Sequence, residues 1–414
     1  MNRRHFLKTS AAAGSFPYVA PPTVLGANDR IQVGIIGLGG RARWLIQHGD
    51  FGDARIAAVA DCWLPRCAEA AKLHPDGEKW AKYQDYRKLL DKEKLDAVMV
   101  ETTTHARVLI MIHALQAGLD VYGEKPLTLT VEEGRVLTRA VRRYKRVLQT
   151  GTQQRSMPIN IYASELVASG KIGKIEKVIV CNFEGPERWT PRPAQPMPEG
   201  LDWDQWCNQT ELRPYHTLLH RNWARWWDYD GGGQSWGVSG WGTHSLDQVQ
   251  AALGTDDTGP VEIIPEEPGP KCKVTLRYAS GTLVKLEQEI IKDHQQLGAI
   301  FEGTQGRIQI VRGDFTADPP ELRKGAPDIT KEGPGEDVPH MRNFFQCMRS
   351  RQRPNADVEI GHRSTTICHL VNICRDLGRK LRWDPQTEKF LGDEEASRML
   401  SRPRRKGYEL PKIA

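Results

Sequence analysis

The sequence predicts an α/β protein with an N-terminal, doubly wound parallel sheet and a C-terminal α+β domain whose open sheet is mostly antiparallel. From Arg30 to Gly151, short apolar strands alternate with helical segments, a pattern typical of a parallel sheet. Beyond Gly151, alternating segments are separated by turns, which favours antiparallel pairing. The 414 residues can hold two such domains, and a hydrophobic content of 39% excludes disorder of the whole chain.

The first domain is predicted to contain five apolar strands. They are residues 31–36, 56–60, 95–100, 120–122 and 146–148. Helices are predicted at residues 43–48, at residues 131–144, and along an amphipathic stretch through Ile110, Ala114 and Ala117 that ends at Gly118. This alternation of strand and helix places successive strands side by side and parallel.

The second domain is predicted to begin with a helix and a strand, followed by a region rich in Pro and Trp at residues 185–242. The remaining predicted elements are a helix at 160–169, strands at 177–183, 271–278, 282–291 and 300–311, a linker at 313–335, and helices at 338–350 and 361–377. We therefore expect four segments: 1–29 as a signal, 30–151 and 152–384 as the two domains, and 385–414 as a tail.

The N-terminal segment around Arg3 and Arg4 resembles a twin-arginine export signal. A weakly apolar stretch follows at residues 9–20 and is too short to span a bilayer, so we expect no stable membrane insertion. This resemblance implies export of the folded protein to the periplasm. The eight cysteines include no C-x-x-C pair, so we expect mostly buried thiols and no metal site.

The net charge of +6 is modest and comes largely from scattered residues. One basic cluster, formed by Arg402, Arg404, Arg405 and Lys406, lies near the C-terminus. Because no aromatic stacking pattern accompanies it, we expect a solvated tail and no nucleic-acid partner.

A glycine-rich turn links the first predicted strand to the first predicted helix. The sequence GLGGRA at residues 37–42 satisfies G-x-G-x-x-G/A, in which Gly37 makes the tight turn and Gly39 lets backbone N–H groups approach a pyrophosphate. Asp61 ends the second strand, at the distance expected of the acceptor for a ribose 2′-hydroxyl. A Rossmann domain that prefers NAD to NADP is therefore predicted.

Further motifs resemble those of the Gfo/Idh/MocA oxidoreductases, a family named for glucose–fructose oxidoreductase and inositol dehydrogenase. The matching segments are EKP at residues 124–126, GTQQR at 151–155, GTHSLD at 242–247 and the C-terminal segments at 353–357, 361–364 and 378–384. The three C-terminal segments are similar to the exported branch of the family. Three positions depart from the usual pattern: Thr103 replaces a common Pro, Arg107 a common second His, and Gly240 a common Asp.

The resemblance implies hydride transfer at a secondary alcohol, with His244 as the candidate base and Lys125 as the cation that stabilises developing negative charge. In relatives the bond that corresponds to Lys125–Pro126 tends to be cis. Asp247 is expected one turn beyond His244, where it either orients the imidazole or binds substrate. For His105, Glu124, Gln153 and Arg155, a structural role is an alternative to a role in the site.

The predicted cofactor-binding residues are Gly37, Gly39, Gly40, Arg41, Asp61, Thr102, His105, Glu124, Lys125 and Gln153. The predicted substrate-binding residues are Arg155, Arg221, Trp227, Tyr229, His244 and Asp247. Tryptophans crowd the region before His244, and indole faces can pack against sugars, although Trp pairs at helical spacing are more often core. Gly231–Gly233 is expected to form a flexible loop and not a phosphate cradle.

These features together predict an NAD-dependent oxidoreductase acting on a sugar, polyol or glycoside. Because free NAD is scarce outside the cytoplasm, we expect a tightly held and recycled nucleotide. Redox-neutral glycoside hydrolysis or epimerisation is an open alternative, because transient oxidation acidifies a neighbouring carbon and the carboxylate usual at Gly240 is absent. A non-catalytic sugar sensor is a third possibility. A homo-oligomer paired through the open C-terminal sheet is expected.

Overall fold

The computed structural model describes residues 30–230, 237–267, 269, 271–288, 297–328 and 337–413. The predicted export signal and the glycine run 231–233 lie outside these residues. Six parallel strands form the first sheet: β1 (Gln32–Ile36), β2 (Arg55–Ala60), β3 (Ala81–Tyr83), β4 (Ala97–Val100), β5 (Asp120–Gly123) and β6 (Leu148–Thr150). Their order, β3-β2-β1-β4-β5-β6, reverses direction between β1 and β4. The predicted doubly wound sheet is confirmed.

Helices connect these strands and cover both faces of the sheet. They are α1 (Gly40–His48), α2 (Pro65–Ala71), α3 (Tyr86–Lys92), α4 (Thr104–Gln116) and α5 (Val131–Tyr144). The strands are apolar because both faces are covered; every residue of β4, for example, is buried. α5 begins where the Thr130 hydroxyl accepts a hydrogen bond from the Glu133 N–H, while the Glu133 carboxylate accepts one from the Leu129 N–H.

The second domain contains a nine-stranded mixed sheet within the described residues. Its strands are β7 (Ile175–Cys181), β8 (Glu262–Pro265), β9 (Val274–Arg277), β10 (Leu283–Gln288), β11 (Ala299–Gly303), β12 (Gly306–Val311), β13 (Asp314–Asp318), β14 (Leu381–Asp384) and β15 (Lys389–Phe390). They lie in the order β13-β12-β11-β7-β10-β9-β8-β14-β15. Among the strand pairings described in this second sheet, only the β7–β10 pair is parallel. The prediction of a mostly antiparallel sheet is therefore confirmed.

One face of this sheet is covered by helices and the other is polar. The remaining helices are α6 (Pro158–Ala168), α7 (Trp203–Cys207), α8 (Thr217–Arg221), α9 (Trp241–Leu253), α10 (Asp337–Ser350), α11 (Val358–Leu377) and α12 (Glu394–Arg398). Apolar residues of α6, α9 and α11 pack with Val178, Val180 and Leu286 in one core. On the opposite face Lys177 makes ion pairs with Glu287 and Glu302 at 3.4 and 3.5 Å.

Two segments from the C-terminal part of the chain pack on the first domain. Met341, Phe344 and Phe345 of α10 join the core beneath β1 and α1. On the other side of the sheet, Leu410 and Ile413 pack against the core that holds α4 and α5. The first domain is therefore completed by residues far along the sequence.

The prediction of a solvated basic tail is wrong. Arg402 is partly buried and its guanidinium lies 4.9 Å from the Trp227 ring centroid, Arg404 pairs with the buried Glu133, and Arg405 pairs with Asp204 at 2.6 Å. These contacts fix residues 402–408, which we name the C-terminal strap, across the Trp-rich region and α5. The three arginines are used internally, because each meets a carboxylate or an indole face, whereas Lys406 is exposed.

Several further features are set by composition. Seven cysteines are buried, Cys62 is partly buried, and all eight are free thiols, as predicted. Among the described residues no cluster of His, Cys, Asp and Glu has the geometry of a metal site. Within the same part of the chain, every helix is too short or too polar to cross a bilayer.

Candidate functional site

The glycine turn joins β1 to α1 at the carboxyl edge of the first sheet. Gly37 has φ of +88°, and a Cβ there would lie 2.8 Å from the Thr102 backbone nitrogen, so the turn needs glycine on two grounds. Gly39 is the N-cap of α1, and a Cβ at Gly39 would meet nothing within 4 Å. The free N–H groups of this helix start therefore face open space suited to an anion.

Asp61 holds the glycine turn from the end of β2. One carboxylate oxygen accepts the Leu38 N–H at 2.7 Å and the other accepts the Trp63 N–H at 2.8 Å. Arg66 lies 3.8 Å from the same carboxylate. Burial raises the pKa of Asp61, and the Arg66 guanidinium opposes that rise. Asp61 borders the cavity as predicted for a ribose acceptor, and it also fixes the loop that would receive the pyrophosphate.

A cavity of about 490 Å³ opens at this edge, where strand order reverses between β1 and β4. Ligands of open α/β sheets bind at such a reversal, and this volume is in the range of small-molecule sites. Of the predicted site residues, it is lined by Gly37, Gly39, Gly40, Arg41, Asp61, Thr102, Glu124, Lys125 and Arg221. The structure therefore brings most of the predicted cofactor residues together.

The Glu124-Lys125-Pro126 segment follows β5 and forms one wall of the cavity. Arg41 Nε donates to Glu124 Oε1 at 2.8 Å, and the same guanidinium pairs with Asp337. The Lys125–Pro126 bond is cis, and Lys125 Nζ lies 3.4 Å from the carbonyl oxygen of Gly240. Burial lowers the pKa of Lys125, while the Glu124 carboxylate opposes that shift. Glu124 thus holds Arg41 by an ion pair, and its negative charge favours the charged form of Lys125.

His244 lies in the first turns of α9, one turn beyond Gly240. It is 4% exposed, and its Nδ1 has no hydrogen-bond partner within the described part of the chain. Burial holds the pKa of His244 well below its usual value, and the positive charges of Arg312, Lys125 and Arg41 act in the same direction. The imidazole is therefore neutral at pH 7. His244 does not line the cavity itself; Gly240, at the start of the same helix, does.

The substrate role predicted for Arg155 and Asp247 is corrected. Arg155 donates to Asp247 at 2.8 Å and to Asp256 at 2.7 Å, and Ser364 donates to Asp247 at 2.6 Å. Both partners face a separate, shallow surface depression beside α6. Because their polar atoms satisfy one another, this pair fastens α9 to the segment after β6.

Four further predicted residues also lie away from the cavity. His105 and Tyr229 pack edge to face at 4.9 Å, and His105 Nε2 lies 2.7 Å from the Trp206 carbonyl oxygen. The guanidinium groups of Arg188 and Arg402 lie 5.0 and 4.9 Å from the centroid of the Trp227 ring. Gln153 donates weakly to Glu124 at 3.4 Å and supports that side chain from behind. The structure thus assigns these four side chains to packing or positioning.

Residues that sequence reasoning missed complete the cavity wall. They include Arg66, Glu101, Gln205, Asn208, Asp230 and Tyr408. Trp206 and Trp223, two of the tryptophans considered for sugar contacts, also line the cavity. Glu101 could have been found, because a carboxylate directly after a buried strand of a parallel sheet lies at the ligand-binding edge. The Trp-rich region supplied the right segment, although its tryptophans mostly form their own core with Leu201, Tyr215 and Tyr229.

The residues present fit a dinucleotide. The N-terminus of α1 is open at Gly39, Asp61 lies beside the turn, and both carboxyl oxygens of Glu101 are buried without a hydrogen-bond partner in the described residues. A buried polar atom without a partner indicates a place where a polar ligand is expected.

Comparison with known proteins identifies the family. An oxidoreductase-family model for an NAD-binding Rossmann fold, GFO_IDH_MocA, matches residues 31–152. The model for the C-terminal α/β domain of the same family matches residues 161–410. The chain belongs to the Gfo/Idh/MocA oxidoreductase family. This NAD-binding oxidoreductase therefore combines both family domains in the expected order.

Curated relatives match the oxidoreductase over part of its length. The scyllo-inositol 2-dehydrogenase (NAD⁺) of Bacillus subtilis is 30% identical over 121 residues, which cover 29% of this chain and 34% of the relative. A glycosyl hydrolase family 109 protein of Shewanella pealeana is 28% identical over 160 residues, covering 32% and 35%. Each match spans about a third of the relative.

Solved structures share the fold of the oxidoreductase. Levoglucosan dehydrogenase in complex with NADH and L-sorbose has a TM-score of 0.60 at 17% identity, covering 85% of this chain and 98% of that one. Myo-inositol 2-dehydrogenase from Lactobacillus plantarum has a TM-score of 0.59 at 17% identity, with coverage of 85% and 99%.

Proposed function

We propose that this protein oxidises a secondary alcohol of a sugar, polyol or glycoside with a tightly held NAD. The observation that carries the proposal is the cavity at the sheet reversal, which joins the glycine turn and Asp61 to Lys125. The inositol dehydrogenase and levoglucosan dehydrogenase similarities support this substrate class.

Two side chains have separate tasks in this reaction: one accepts a proton and the other stabilises negative charge. Bound NAD supplies a nicotinamide ring that accepts hydride from the carbinol carbon. Since its imidazole is neutral, His244 accepts the hydroxyl proton, and the Lys125 ammonium stabilises negative charge that develops on the substrate oxygen. The Glu124 carboxylate favours the ammonium form of Lys125, because its negative charge opposes the effect of burial on the pKa of Lys125.

Mass spectrometry of the nucleotide released on denaturing the purified protein tests the cofactor. A panel of polyols and glycosides is then scored for hydride exchange with deuterated NADH and for absorbance of the reduced nicotinamide. We expect Lys125→Ala and His244→Ala to keep bound nucleotide and to lose exchange by at least about 100-fold. Asp256→Asn, which lies in the Arg155 ion pair, serves as the control. Full turnover in both alanine variants would overturn the site assignment.

Redox-neutral glycoside cleavage or epimerisation is a second candidate. Gly240 has no side chain where many dehydrogenase relatives have Asp, and the family 109 glycosyl hydrolase is among the similar proteins. Product release from an aryl glycoside with no net change in nicotinamide absorbance would favour this reaction. Net NADH formation with an added electron acceptor would favour the dehydrogenase. A sensor would bind sugar and do neither.

We propose that the folded holoenzyme is exported to the periplasm, on the basis of the Arg3-Arg4 motif. Cell fractionation of the full chain and of an Arg3→Lys/Arg4→Lys variant tests this proposal. Cytoplasmic retention of the wild type would contradict it.

We also propose that two copies pair through the polar outer face of the nine-stranded sheet. Light scattering of the wild type and of Lys177→Glu tests this pairing, because the substitution reverses the charge at the centre of the sheet face. A monomeric wild type would contradict it.

A further inference from the structure

Glu101 is the first residue after β4 and lies against the glycine turn. A Cβ on Gly37 would come within 2.9 Å of the Glu101 carbonyl carbon, so the two backbones are in contact. Glu101 lines the cavity, yet it is only 8% exposed and both carboxyl oxygens are fully buried. A carboxyl group is therefore held at the point where β1 and β4 diverge.

Neither oxygen of Glu101 has a hydrogen-bond partner in the described residues. The two cations whose charge acts on Glu101 are hydrogen-bonded elsewhere: Arg41 binds Glu124 and Asp337, and Arg107 donates to the carbonyl oxygens of Pro126 and Thr102. An ionised carboxylate without donors is very costly to bury, so a buried carboxyl in this position is neutral.

The surrounding charges favour the same protonation state. Burial raises the pKa of Glu101 well above its usual value, and the Glu124 carboxylate adds to that rise. Arg41 and Arg107 oppose the rise, while Asp337 reinforces it. These groups face Glu101 from α1, from α4, from the end of β5 and from the start of α10.

A neutral carboxyl differs from a carboxylate because it can donate a hydrogen bond. The bridging part of a dinucleotide, with its pyrophosphate and the second ribose, crosses the sheet edge at the reversal between β1 and β4. Pyrophosphate oxygens only accept hydrogen bonds, so an ionised Glu101 would repel them and a neutral Glu101 can bind them.

We propose that Glu101 is a nucleotide-binding residue that donates a hydrogen bond, as a neutral acid, to the bridging part of the bound dinucleotide. The proposal rests on the proposed NAD cofactor but not on any substrate or turnover. It accounts for the two oxygens left without partners and for a carboxyl group in a cavity suited to an anion.

Equilibrium binding of NADH, ADP-ribose, ADP and AMP to nucleotide-free protein tests this role. Glu101→Gln keeps a donor and no charge, so we expect affinities within about twofold of wild type at pH 7. Glu101→Ala removes the donor, and we expect NADH and ADP-ribose to bind roughly 10-fold more weakly, with AMP unchanged. If ADP is weakened equally, the pyrophosphate is the acceptor; if ADP is unaffected, the second ribose is. Both results support the proposal.

Asp96→Asn is the matched control, because Asp96 lies at the opposite end of the same strand and accepts the Gln32 N–H at 2.8 Å. Thermal unfolding of each nucleotide-free variant shows whether the fold is kept. Tighter NADH binding by Glu101→Gln would mean that Glu101 is ionised, and unchanged NADH binding by Glu101→Ala would mean that it does not contact the ligand. Either result overturns the proposal. If neither the wild type nor any variant binds these nucleotides, the proposed NAD cofactor is wrong, which is distinct from a failure of the Glu101 proposal.

Discussion

At the scale of single residues, the site is built from side chains that serve two partners at once. Asp61 accepts two backbone N–H groups and borders the ligand cavity. Glu124 binds Arg41 and also acts on Lys125. A side chain that must satisfy both backbone and ligand tolerates little change, so its replacement affects folding and binding together.

Asp61→Ala is expected to weaken NADH binding about 10-fold or more and to lower the free energy of unfolding by roughly 1–3 kcal/mol, because two backbone N–H groups lose their acceptor. Isothermal titration with NADH and NADPH, with urea unfolding, measures both effects. Asp61→Asn keeps one acceptor oxygen and should destabilise less. The preference for NADH over NADPH should also shrink in both variants, and an unchanged preference would contradict the ribose role.

The sequence motifs predicted that the glycine turn, Asp61 and Lys125 border one cavity, because each motif is defined by short-range backbone geometry. Their roles in binding and catalysis remain predictions. Partners distant in sequence were not predictable in this way. Arg155 and Asp247 were expected at the substrate, but Asp256 and Ser364 draw them into a separate network. Glu101 was not predicted, because its importance depends on the lack of hydrogen-bond partners for its carboxyl group among the described residues. A sequence pattern does not show such a lack.

At the scale of elements, the turn between β1 and α1 makes different demands on its two glycines. Gly37 needs its positive φ and lacks room for a side chain, whereas Gly39 has an ordinary φ of −70° and open space beside it. Folding therefore constrains the first glycine, and ligand binding constrains the second.

Gly39→Ala is expected to leave the melting temperature of nucleotide-free protein unchanged and to weaken NADH binding at least about 10-fold, because the methyl group occupies space that a pyrophosphate needs. Gly37→Ala should lower the free energy of unfolding by about 1–3 kcal/mol. Differential scanning fluorimetry and NADH titration separate the two. Equal loss of stability in both variants would contradict this division.

The C-terminal strap is the element that sequence patterns described least well. A run of basic residues is usually solvated, but here Glu133 lies buried beneath Arg404 and also accepts from Gln209 at 2.7 Å. The short strands β3 and β15 were not predicted either, because each has too few residues to show a periodic pattern. Long helices such as α5 were predicted to the residue because their apolar pattern spans several turns.

Arg404→Met is expected to lower the free energy of unfolding by about 3–5 kcal/mol, because it leaves the Glu133 carboxylate buried without its cation. Adding Glu133→Gln should recover part of that loss, since the buried charge is then removed. Urea unfolding of the two single variants and the double variant gives the coupling energy. Additive effects of the two changes would show that the pair does not interact.

At the scale of the whole molecule, buried neutral histidines make stability depend on pH. Burial lowers the pKa of His105, His220 and His340 to about 4, and that of His369 to about 3, from 6.5. The unfolded chain takes up protons on these groups below about pH 6.5, whereas the folded chain does so only near pH 4.

The contribution of these histidines to stability is therefore expected to be full above about pH 6.5 and to be lost between pH 6.5 and pH 4, by roughly 1–2 kcal/mol per histidine at pH 5. Urea unfolding at pH 7.5, 6 and 5 measures the change. In His340→Gln the free energy of unfolding should fall less steeply as the pH is lowered, by the equivalent of about one bound proton, whatever its value at pH 7.5. A midpoint that is the same at pH 7.5 and pH 5 would contradict the prediction.

The strap also has a consequence for biosynthesis. Tyr408 lines the nucleotide cavity and donates to Asp204 at 2.6 Å, so part of the pocket wall is translated long after the glycine turn. A nascent chain that carries only the Rossmann half lacks this part of the cavity wall. We therefore expect the pocket to take its full shape only after Tyr408 has been translated and the strap has packed against Asp204.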